Sequence, residues 1–195
     1  MASVVLTGDT SGTLTVSAPL VAGSNTQTLV AATDTLAPIV RGTVTTASGT
    51  FFDFTGIPSW VKRITVMFNQ VSTTGTSGIL IQLGTSSGVE ATGYAGSAIA
   101  LQGSAVSSAA NTSSIGLFVA VAFNTAADIY SGNVVLTNIS GNIWVQSGVV
   151  GNTAASRITN STGIKQTAAV LDRVRIATVN GTDTFDLGSV NILYE

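Results

Sequence analysis

The chain has 195 residues, 45% of them hydrophobic and only 8% charged, with a formal net charge of −2, no cysteine and no histidine. That length fits one good-sized domain, and so little charge excludes the clustered Lys and Arg that draw in nucleic acid or an anionic membrane. Without Cys or His there is no disulfide framework, thiolate metal site, cysteine nucleophile or Ser-His-Asp arrangement, so no catalytic residue, cofactor or metal is expected.

Residues 1–38 hold no aromatic and two charges, Asp9 and Asp34, yet apolar and hydroxyl residues mix in 4–7, 14–17 and 26–29. Short strands fit this pattern and a self-sufficient core does not, which predicts an extended N-terminal anchor segment that needs a partner. The opening MASVVLTGDT lacks a basic segment ahead of an apolar one, so no secretory leader is expected. From residue 39 onward the chain reads as a knob domain, 39–195, with strands near 40–46, 51–54, 61–71, 78–84, 97–102, 115–123, 132–139, 142–150, 164–170, 172–179 and 187–194.

The aromatic stretch FFDFTGIPSWVKR, residues 51–63, begins with a short strand that puts Phe52 and Phe54 on one face and Asp53 on the other. Gly56 and Pro58 then turn the chain. Trp60 and Lys62 share parity with Ile64, Val66 and Phe68, which predicts an inward Trp60 plugging the end of the fold, an inward Lys62 stem and an outward Arg63 beside a carboxylate. GTSSGVEATGYAG, residues 84–96, has glycines suggestive of a phosphate loop, but no helix start follows, so it reads as a surface loop. On it Tyr94 is a candidate ligand-binding residue that stacks on a sugar face, or else folds back over the sheet edge.

IGLFVAVAF, nine residues from Ile115 to Phe123, is far shorter than the roughly 20 needed to span a bilayer as a helix. It has no polar face, so it reads as a strand buried on both sides, in mid-sandwich or at a subunit interface. Trp144 shares parity with Asn142 and Gln146, which makes it a second candidate ligand-binding or inter-subunit residue beside the core alternative. Strand 172–179 turns Val174 and Ile176 inward and Arg173 and Arg175 outward. The closest acid pair, Asp183 and Asp186, could serve as glycosidase carboxylates or calcium ligands, but no further acid stands near and a turn preceding the last strand is the better reading. The sequons at Asn111, Asn138, Asn160 and Asn180 arise readily by chance in such a composition. The predicted fold is all-β: an antiparallel, jelly-roll-like β-sandwich knob behind the anchor.

The runs FFDFTGIPSWVKRITVMFNQVSTTGTSGILIQLG, TGYAGS, YSGNVVLTNISGNIWVQSG and LDRVRIATVNGTDTFDLGSVNILYE, in that order, resemble a domain of tailed bacteriophages and prophages labelled tail fibre or structural protein. The N-terminal SGTLTVSAPLVAGSNTQTLVAATDTLA is similar to the lead segment of such domains. The resemblance covers nearly the whole chain and transfers no ligand residues. It implies a homotrimeric virion protein, assembled in the bacterial cytoplasm, that attaches to capsid or tail through residues 1–38. A tail fibre would touch a host surface glycan; a head fibre or capsid decoration would not, and a glycan-degrading tailspike is the remaining alternative.

Overall fold

The computed structural model describes residues 3–7, 13–17, 39–102, 111–122 and 125–195. The chain divides into two compact units, Met1–Leu36 and Ala37–Glu195. In the first, β1 (Ser3–Thr7) and β2 (Thr13–Ser17) pair antiparallel, with Val4 opposite Val16 and Leu6 opposite Leu14. The alternating stretch 26–29 lies outside the described residues.

Among the described residues, the regular structure of the second unit consists of antiparallel strands. In chain order these are β3 (Val40–Arg41), β4 (Thr45–Thr46), β5 (Phe51–Thr55), β6 (Arg63–Thr73), β7 (Ser77–Thr85), β8 (Gly88–Val89) and β9 (Tyr94–Gln102), then β10 (Asn111–Ser113), β11 (Leu117–Ala122), β12 (Tyr130–Ser140), β13 (Ile143–Asn152), β14 (Arg157–Gln166), β15 (Arg173–Thr178) and β16 (Phe185–Tyr194). A nine-stranded sheet runs β10-β9-β14-β13-β12-β6-β16-β3, with β4 also on β16; a five-stranded sheet runs β11-β7-β15-β5, with β8 on β7. The two sheets face each other as a sandwich. Ile64, Val66, Val134 and Leu136 of the large sheet meet Ile79, Ile81, Val174 and Ile176 of the small one in one buried core. Alternation on β6 and β15 therefore does what the sequence predicts, because period-two patterning puts every second side chain into the core.

The apolar run at 115–123 is buried on both sides from Leu117 to Val121. It forms the edge of the small sheet, not its middle: one face joins the main core, while Phe118 and Val121 join Leu80 and Ala98 in a second cluster. The corner at 56–62 departs from expectation. Gly56 takes a φ of 73°, and Val61 N–H donates to Pro58 O at 3.1 Å, so the chain turns and parity is lost before β6 begins at Arg63. Ile57 and Val61 become the buried plugs; Trp60 is 40% exposed and lies against Tyr194, ring centroids 6.0 Å apart, and Lys62 is exposed. Arg63 does face outward, 3.1 Å from Glu195 of the same chain. The strand predicted at 164–170 is displaced to 157–166, for a reason that bears on function.

Candidate functional site

Both aromatic candidates are built into the interior. Tyr94 opens β9 and is 5% exposed. The expected 84–96 loop is largely a hairpin, with β8 folding back on β7 so that Glu90 N–H donates to Leu83 O at 2.9 Å. The Tyr94 hydroxyl accepts from Leu83 N–H at 2.6 Å and bonds Glu90 O at 2.7 Å, leaving no polar handle for a sugar. Burial pushes its phenol well above the ordinary value, with the Glu90 charge adding to the rise. Trp144 is 4% exposed; its parity with Gln146 holds, but Gln146 is itself 2% exposed, so the whole row turns inward. Next to Trp144 in the register stands Lys165, whose ammonium lies 2.6 Å from Glu90 Oε2, donates to Thr92 O at 3.0 Å and sits 5.1 Å from the Tyr94 ring centroid. Burial raises the Glu90 carboxyl, but the hydrogen bonds from Lys165 and from the Ala168 amide and the Lys165 charge outweigh it, leaving it below its ordinary value. Tyr94, Trp144, Lys165 and Glu90 thus form one structural corner.

This corner continues as a polar row on the inner face of β13 and β14. Gln146 Nε2 donates to Phe118 O at 2.9 Å and to Ser161 Oγ at 2.8 Å, and Thr159, Asn152 and Arg157 are buried farther along. At that end burial pushes the Tyr130 phenol up, opposed by the Arg157 charge. A side chain at Gly163 would put its Cβ 2.6 Å from Leu117, so a glycine in this row lets the small sheet's edge strand pack close. Sequence reasoning missed β14 because Arg157, Thr159, Ser161 and Lys165, all polar, are its buried face.

The acid pair reads as a turn. Asn180 Oδ1 accepts the amides of Thr182 and Asp183, and Asp183 Oδ2 accepts Ser77 N–H at 2.9 Å. The bond with Asn180 and that backbone amide hold the Asp183 carboxyl below its ordinary value. Asp186 is exposed on β16. Among the described residues no group of three or more acids or other metal-capable side chains converges. A cavity of about 60 Å³ between Ile57, Val61, Asn138 and Trp144 is far below the roughly 300 Å³ of a small-molecule site.

The informative surfaces are the two outer faces of the sandwich. On the small sheet, register aligns Gln82, Arg175 and Asp53. Arg175 grips Asp53 with two bonds, Nε to Oδ1 at 2.7 Å and Nη2 to Oδ2 at 2.8 Å, and its guanidinium lies 3.7 Å from the Phe51 ring centroid. Arg173 pairs with Asp172 at 2.9 Å. On the large sheet, β9, β14, β13 and β12 present no charge at all on their outer positions. Register sets Asn133, Val149, Asn160 and Ile99 in one row and Thr137, Val145, Ile164 and Ala95 in another. Val149 is 49% exposed and Ile158 and Ile164 each 42%. Open depressions lie between Ser97, Thr162 and Ile164 and around Met67 and Leu193. Among the described residues, the charges of this sheet's strands outside those four are Arg63, Arg41 and the exposed Asp186. No protein-family profile, no curated protein and no solved structure matches the chain.

Proposed function

We propose that this protein is a structural and binding module of a bacteriophage virion, a β-sandwich knob that attaches to the particle through residues 1–38 and assembles as a homotrimer. The observation that carries the reading is the way its scarce charge is used: four ion pairs, Arg63–Glu195, Lys165–Glu90, Arg173–Asp172 and Arg175–Asp53, close within the chain. Such side chains hold a scaffold together; even Asp53, which lines an open depression with Arg41 and Tyr194, has both carboxylate oxygens held by Arg175. The resemblance of four ordered sequence blocks to phage fibre domains supports the same reading, as does an N-terminal segment whose sequence holds no aromatic and predicts no self-sufficient core.

Deleting residues 1–38 should leave a folded knob that no longer joins particles of the phage or prophage encoding it. A truncated protein that still decorates them would defeat the anchor. For the tail-fibre form, saturating isolated protein should slow adsorption of that phage to its host; unchanged adsorption would favour the head-fibre or decoration form.

A further inference from the structure

We infer that the outer face of the large sheet, centred on β13 and β14, is the surface on which a second copy of this chain docks; the inference rests on the assembled state proposed above and names where the copies meet. Antiparallel sheets with one face in water ordinarily place apolar residues inward and polar residues outward. β14 departs from this: Arg157, Thr159, Ser161 and Lys165 point in, and Ile158 and Ile164 point out beside the uncharged Asn160 and Thr162. The inward set has specific partners, Lys165 with Glu90 and Thr92, Ser161 with Gln146. A one-residue slip would bury the isoleucines but expel the lysine from its ion pair, so the register is pinned with the apolar set outside.

The occupant follows from charge and area. With no charge on its four central strands, the face offers nothing to a basic, acidic or nucleic-acid partner, and it carries none of the lysines that keep exposed sheets monomeric. It suits a surface as uncharged as itself, and around a threefold axis the uncharged faces of three copies converge, each edge of one face against its neighbour, without like-charge repulsion. The four uncharged strands, about 4.8 Å apart, with about seven residues each at roughly 3.3 Å, give a face of roughly 19 by 20 Å, on the order of 400 Å² in projection. Side-chain relief enlarges that area, and in a ring each copy contributes a surface to two neighbours, which moves the total toward the ~800 Å² per partner of a stable complex.

The test is molecular mass by light scattering at micromolar concentration, with circular dichroism as the folding control. The unmodified protein should give a multiple of 19.6 kDa; the Val149→Lys, Ile164→Lys double variant should fall to 19.6 kDa with its β spectrum intact. Val179→Lys, on the outer parity of the small sheet, should keep the unmodified mass. A folded double variant that stays multimeric would overturn this interface and leave the assembled knob standing, whereas an unmodified monomer would remove both. Should the double variant fail to fold, the absence of cysteine allows single thiols. Val149→Cys should react with a maleimide at least tenfold more slowly than Val179→Cys in the assembled protein, and equal rates would overturn the proposal.

Discussion

The two outer faces of the sandwich handle polarity in opposite ways. On the small sheet Arg173 and Arg175 stand outside with their carboxylates beside them and the core beneath is purely apolar at Val174 and Ile176. On the large sheet the ion-paired lysine, the glutamine and the threonine lie beneath β13 and β14, while valine and isoleucine stand outside. A charged outer face is finished within one chain, because its groups are already paired. An uncharged outer face with exposed valine and isoleucine over a polar inner row is not, because exposed aliphatic area gains free energy on burial at roughly 25 cal/mol per Å².

Perturbing what lies under the uncharged face should have the largest effect. Trp144→Ala removes a buried ring and should lower stability by about 3–5 kcal/mol in urea unfolding. Glu90→Gln strands the Lys165 ammonium and should cost roughly 2–4 kcal/mol, less than for a fully buried pair because Glu90 is 21% exposed. Acid should reveal the same pair. Because the Glu90 carboxyl is held below its ordinary value of 4.5, its contribution is complete above that pH and is lost as pH falls through the lower folded value. The unfolding free energy of Glu90→Gln should therefore fall less steeply than that of the unmodified protein below pH 4.5.

On the charged face, Arg175→Ala removes a bidentate pair and the stacking on Phe51, both partly solvated, and should cost about 1–2 kcal/mol with no change in mass. An isosteric change on the uncharged face, Thr137→Val, at an exposed position in the row of Val145 and Ile164, should shift the stability of the separated knob by no more than about 0.5 kcal/mol. A large loss there would mean that the face is sealed within one chain and would erase the contrast between the sheets.

The small sheet was far more legible in the sequence than the large one. Phe52, Phe54, Val174 and Ile176 alternate with polar residues and end up where alternation puts them. Trp60 misled because parity counts only along a continuous strand and the Gly56–Pro58 turn interrupts it. Trp144 and β14 misled because the inner row is polar, and hydrophobic periodicity has no way to distinguish a strand that buries its hydroxyls and lysine from one displaced by a residue. Tyr94 read as a loop residue because Gly88 and Gly93 look like loop punctuation; the bond from Leu83 to its hydroxyl, made across a hairpin, has no local signature. The uncharged face itself was legible only as a shortage of charge in the whole chain. Its concentration on one side required the register.

Sedimentation equilibrium of the unmodified protein across a micromolar concentration series tests the central claim most directly. An uncharged face covered by further copies predicts a mass that is a multiple of 19.6 kDa, three times that value for the proposed trimer. A constant 19.6 kDa throughout the series would contradict it.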